Sequence, residues 1–126
     1  MKIICLFCAS LDGLDPSYSK TAKQVGPVLA KHKYSLLYGG GNLGLMGIAA
    51  KSALENNVKV ISVIPKYLDK PNIIYSNADE IIKTETLIER KEKMIKISDI
   101  FIALPGGVGT LDEVTDILAG AALGEH

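Results

Sequence analysis

Four short apolar runs constrain this chain more than any other feature. Lys2–Cys8, Ser35–Tyr38, Val58–Ile64 and Asp99–Leu104 are each dominated by Ile, Val, Leu, Phe or Tyr. Each leads into a polar, Gly-rich or Pro-rich loop and then a stretch with helical character. Runs this short, with apolar residues on both faces, read as strands buried in a parallel sheet. Strands alternating with helices predict an α/β chain, a parallel sheet with helices on both of its faces.

The helical stretches set the punctuation. Ser17–His32 carries Tyr18, Ala22, Val25 and Leu29 at helical spacing, and Gly26-Pro27 in its middle predicts a kink, because proline removes an amide donor and crowds the preceding turn. A second helix is expected from the glycine-rich segment 39–47 to about Asn56, a charged one over Leu87–Ile97, and a last one from about Thr110 to Leu123. Residues 65–80 read as a loop, with Ile81-Ile82 as a short extra strand. In parallel sheets ligands collect beyond the carboxyl ends of the strands, so the loops Ala9–Pro16, Gly39–Gly47 and Pro105–Thr110 are expected to meet there. Neither repeats nor linkers divide the chain, and residues 1–126 are expected to form one domain.

Composition excludes several classes. With 48% hydrophobic residues and a net charge of zero, the chain is neither disordered nor broadly attractive to nucleic acid. No apolar run approaches the roughly 20 residues that cross a bilayer. The opening M-K-I-I-C-L-F-C-A-S is too short for a signal peptide and lacks a clear cleavage site, so it reads as the first strand. Cys5 and Cys8 make a C-x-x-C, but a redox pair wants a helix N-terminus, whereas residues three apart in a strand point to opposite faces. They read as small buried thiols in a reducing cytoplasm. His32 and His126 are too isolated to suggest a metal site.

Two glycine loops and one arginine carry the chemistry. Gly39, Gly41 and Gly44 satisfy G-x-G-x-x-G, but the next strand ends in Ile64-Pro65-Lys66, without the acid a dinucleotide site wants, and no Walker lysine follows Gly44. The second loop, in L-P-G-G-V-G-T-L-D-E-V at 104–114, fits a phosphate-binding turn better, since consecutive glycines free several amides at a helix start. Two readings of Thr110–Glu113 stay open: a helix capping box, or a turn gripping phosphate with Glu113 facing a reacting sugar. Arg90 is the single arginine among fourteen basic residues, which suggests a place where bidentate geometry matters; a solvated helix face in E-R-K-E-K is the alternative.

Together, G-G-G-N-L-G-L-M-G, E-R-K-E-K-M and S-D-I-F-I-A-L-P-G-G-V-G-T-L-D-E resemble, in order and spacing, the Lonely Guy family of cytokinin riboside monophosphate phosphoribohydrolases, often mislabelled lysine decarboxylases. Phe7-Cys8-Ala9-Ser10 resembles that family's F-C-G-S loop. The resemblance implies a Rossmann-like, doubly wound fold, a cytoplasmic homodimer, and hydrolysis of the N-glycosidic bond of a purine nucleoside 5′-monophosphate without metal or cofactor. It implies Glu113 and Arg90 as catalytic residues. Lys91, Gly106, Gly107, Gly109 and Thr110, with Gly40, Gly41 and Ser10, are implied to hold substrate and phosphate. A non-catalytic nucleotide-binding or carrier module of the same fold is the alternative. A decarboxylase would need pyridoxal phosphate on a Schiff-base lysine, and no lysine here is marked out for it. Two departures stand out: the family's M-H before E-R-K is Leu87-Ile88 here, and the family continues beyond the position of Leu123, so a sheet lacking its C-terminal strands and helices, with residues 100–104 on an exposed edge, is expected.

Overall fold

A computed structural model of the chain describes residues 2–8, 16–71, 73, 77–104 and 108–124. Five strands, β1 (Ile3–Phe7), β2 (Ser35–Tyr38), β3 (Val60–Pro65), β4 (Glu80–Thr84) and β5 (Ile100–Ala103), form one sheet in the order β4-β3-β2-β1-β5. Every pairing is parallel. The chain steps outward from β1 through β4 and then returns to the other side of β1, so the order reverses at the β1/β5 boundary, where open α/β sheets place their ligands.

The period of two along each strand divides the core into two layers. Ile4, Leu6, Leu36, Tyr38 and Val60 face one side and pack with Ala22, Leu29, Ala49, Ala50 and Ala53. These come from the helices α1 (Pro16–Lys23), α2 (Val25–His32) and α3 (Gly44–Glu55). Cys5, Phe7, Leu37, Ile61 and Val63 face the other side, against Met94, Ile97, Val114 and Ile117. Those belong to α4 (Leu87–Ile97) and α5 (Val108–Ala122). The expected Rossmann-like sheet with helices on both faces is what the chain forms. None of the helices in the described residues is long and apolar enough to cross a membrane.

Register is pinned by a device used twice. Asp99, just before β5, donates its amide to the Ile3 carbonyl at 2.9 Å, while its Oδ2 accepts the Ile3 amide at 2.8 Å. Asp79, just before β4, makes the same two bonds to Val60, at 2.9 and 2.8 Å. Each aspartate clamps the first residue of the neighbouring strand, fixing which side chains face which layer.

One expectation is corrected. The stretch expected as one kinked helix is two, broken at Gln24, and Tyr18 is 37% exposed rather than packed with Ala22 and Leu29. Pro27 has no amide to give the carbonyl of Lys23, four residues back. The Ser52 hydroxyl, from α3, donates to that carbonyl at 2.5 Å and accepts the Gly26 amide at 3.0 Å. Gly26 is obligatory here, because a Cβ would lie 2.1 Å from the Ser52 carbonyl oxygen. The edges are as expected. Ile81-Ile82 belongs to a full strand, β4, and the apolar run 100–104 supplies an outer strand whose Ile102 is 39% exposed. Shallow apolar grooves flank β5 on both faces, one against Val25 and Val28, the other against Val114 and Leu118.

Ser52→Ala removes both bonds at the α1–α2 corner and should destabilise the chain by about 1–3 kcal/mol, the cost of stranding buried polar groups. Urea unfolding followed by circular dichroism measures it, and an unchanged midpoint would show that water replaces the hydroxyl.

Candidate active site

The sequence places an arginine and a glutamate 23 residues apart; the fold brings them face to face. Arg90 stands in the first turn of α4, whose start is set by Thr86. The Thr86 Oγ1 accepts the Glu89 amide at 3.1 Å, and Glu89 Oε2 accepts the Glu85 amide at 3.0 Å. That arrangement works like a capping box and fixes the direction in which Arg90 leaves the helix. Glu113 lies on α5, which begins at Val108. Thr110 is therefore inside the helix rather than at its cap, and the Glu113 carboxylate turns to Arg90. The capping-box reading of Thr110–Glu113 fails on this geometry.

Arg90 Nη2 stands 3.5 Å from Glu113 Oε2, with both side chains about nine-tenths buried. At that length the contact is an ion pair rather than a strong hydrogen bond. The Arg90 Nε is buried with no hydrogen-bond partner among the described residues. The guanidinium lies over Gly39, at the carboxyl end of β2: a Cβ there would sit 3.3 Å from Nη2 and 3.4 Å from Cζ. The first residue of the G-G-G run therefore leaves room for Arg90, a link between two motifs that sequence reasoning took separately.

The rest of that loop is held from below. Gly40 has φ +83°, and a Cβ would lie 3.2 Å from the Ile64 Cβ. The Tyr38 hydroxyl, on a fully buried ring, donates to the Gly41 carbonyl at 3.2 Å. Lys91, next to Arg90, reaches the two carboxylate oxygens of Asp112 at 3.1 and 3.4 Å. Of the residues expected at the site, the structure brings Arg90 and Glu113 together, sets Lys91 beside them and lines the rim with Gly40 and Gly41. Ser10, Gly106 and Gly107 lie outside the described residues, and of Gly109 and Thr110 only the backbone, in the first turn of α5, is described. Gly39 and Asp112 were missed. The signal for Asp112 was available, since Arg90-Lys91 read against Asp112-Glu113 is a charge pattern in opposite order.

Electrostatically the site favours protons. Burial pushes the Glu113 carboxyl above its ordinary value; the Arg90 guanidinium pulls it down without overcoming that, Asp112 adds to the rise and Lys91 opposes it. Burial raises both thiols to about 12, with Glu113 adding to each, so Cys5 and Cys8 stay protonated. They are free and lie in opposite layers of the core, as the strand spacing required.

A family model described as a possible lysine decarboxylase matches residues 46–126. The chain belongs to that family. Two cytokinin riboside 5′-monophosphate phosphoribohydrolases of Arabidopsis thaliana are 40% and 41% identical to it, each over 125 residues and 99% of the chain. These residues correspond to 58% and 59% of the two proteins, so the chain spans little more than half the length of these curated relatives. Among solved structures, the molybdenum cofactor carrier protein of Chlamydomonas reinhardtii superposes with a TM-score of 0.80 at 28% identity, over 95% of this chain and 72% of that one. The molybdenum cofactor binding protein of Rippkaea orientalis gives 0.77 at 28% identity, over 90% and 68%. The Lonely Guy resemblance thus holds over nearly the whole chain.

Glu113→Gln tests the buried charge. Well below the ordinary carboxylate range, folded and unfolded chains both hold the Glu113 proton and the substitution changes little. As pH rises, the unfolded chain releases it first, so wild-type stability falls until Glu113 ionises in the fold. The melting temperature of Glu113→Gln minus that of wild type should be near zero at about pH 3 and grow positive toward about pH 8. A difference independent of pH, read by scanning calorimetry, contradicts the raised proton affinity.

Proposed function

We propose that the chain carries the reacting centre of a nucleoside 5′-monophosphate phosphoribohydrolase, with Glu113 and Arg90 as its catalytic residues. The observation that carries this reading is a buried carboxylate facing a buried guanidinium beyond the carboxyl ends of a parallel sheet. Phosphate binding alone needs no carboxylate at that position. The relatives' names support the same chemistry.

In the reaction the C1′–N9 bond breaks with its electron pair leaving on the purine, and a water oxygen bonds to C1′. The sugar passes through an oxocarbenium-like state, which a carboxylate opposite the leaving base stabilises. Glu113 supplies that charge, or takes the proton of the incoming water; burial, which raises its proton affinity, suits it as a base near neutral pH. Arg90 holds the nucleotide and balances its charge. The turn at 106–110, with its glycines and Thr110, anchors the 5′-phosphate, and Ser10, Gly40 and Gly41 complete the rim. Remote binding of the phosphate then positions the reacting carbon. The protein works in the cytoplasm as a homodimer, on AMP or an isopentenyl-substituted AMP.

The carrier proteins that share the fold favour a second reading, nucleotide binding without turnover. Release of free base from AMP and from its isopentenyl derivative separates the two. Wild type should release base, and Glu113→Gln should remain folded and lose about 10²–10⁴ in rate. Tight nucleotide binding by wild type with no base released would reject the hydrolase and leave the carrier.

A further inference from the structure

Arg90 and Lys91 are successive residues of α4, and Asp112 and Glu113 are successive residues of α5. They pair in opposite order, Arg90 with Glu113 and Lys91 with Asp112. The outer contact is the closer one: Lys91 Nζ engages both Asp112 oxygens, at 3.1 and 3.4 Å, against 3.5 Å for the single inner contact. We propose that Lys91 and Asp112 are a positioning pair whose bridge fixes α4 against α5 and keeps Arg90 opposite Glu113, so that Lys91 is not a phosphate ligand. This rests on the reading of Arg90 and Glu113 as the reacting pair.

The fold explains why such a bridge matters. The α4 helix packs on β3 and β4, whereas α5 packs on β1, so the two helices are seated on different parts of the sheet. A 3.5 Å ion pair does not by itself hold two such helices in register. The Lys91 side chain is 22% exposed and that of Asp112 59%, against 11% and 8% for Arg90 and Glu113, so the bridge lies nearer solvent than the inner pair. Exposed bridges add little to stability, which leaves geometry as what this one supplies.

The pair also acts on Glu113 through charge, in opposite directions: Lys91 lowers its proton affinity and Asp112 raises it. Among the described residues, the other titratable groups that act on Glu113 are Arg90 from α4 and the protonated thiols of Cys5 in β1 and Cys8 just beyond it. Removing both rim charges sets these direct effects against each other, and since Asp112 acts more strongly than Lys91 they cannot by themselves raise the Glu113 midpoint. What remains is any change in where Arg90 sits.

The test follows the Glu113 carboxyl carbon by NMR titration, a readout that needs no turnover and so stands apart from the hydrolase reading. In the double variant Lys91→Met with Asp112→Asn, Arg90 is no longer held and the Glu113 midpoint should rise by roughly 0.5 to 1 pH unit. The exchanged variant, Lys91→Asp with Asp112→Lys, rebuilds the bridge in reverse and should return the midpoint to the wild-type value. In the active enzyme kcat/KM should fall about tenfold in the first variant and recover in the second. A double variant that titrates like wild type overturns the proposal. So does an exchanged variant whose KM stays high, because an aspartate at position 91 cannot grip phosphate and the lysine would then have been a ligand.

Discussion

Two strands can run parallel only if the chain returns to the same end of the sheet between them, and helices make that return after β1, β2 and β4. Five parallel strands therefore send every outgoing segment to one rim, while the order β4-β3-β2-β1-β5 opens that rim between β1 and β5. Gly39 leaves β2, α4 follows β4 and α5 follows β5, all from this end. Arg90 and Glu113 meet because the helices after two different strands are laid over the same face of the sheet. The paired aspartate clamps at Asp79 and Asp99 belong to the same constraint, since a slip of one residue would send each strand's side chains to the wrong layer.

The site this creates is not comfortable for the charge it holds. Glu113 lies among Phe7, Met94, Ile95 and Ile117, its charge is felt by two protonated thiols, and the Arg90 guanidinium is the chief cation that answers it. Such a carboxylate is a poor contributor to stability and a good proton acceptor, a common trade between holding a fold together and performing chemistry. The carrier proteins of the same fold show how far the scaffold is separable from its use.

Much of this was legible in the sequence. β2 occupies Ser35–Tyr38 as the apolar pattern required, and the opposite orientations of Cys5 and Cys8 follow from strand periodicity alone. Arg90 and Glu113 could be named from the resemblance, but their contact depends on the return from β4 to β5, which no local pattern encodes. The role of Gly39 was hidden for the same reason: its neighbour in space is 51 positions away in the chain. Thr110–Glu113 misled because a capping box is a local motif, and Val108 starts the helix two residues earlier. The true N-terminal box of a site helix is Thr86–Glu89, four residues of similar composition that read at first as part of a charged helix.

The corner between α1 and α2 draws on residues far along the chain. Pro27 leaves the Lys23 carbonyl without its helical donor, and the hydroxyl that supplies one is on α3, beyond β2. The backbone of residues 23–27 thus cannot complete its own hydrogen bonding until α3 has docked against it. The corner is a joint whose hydrogen bonds are completed from 26 and 29 residues further along the chain rather than by its own neighbours.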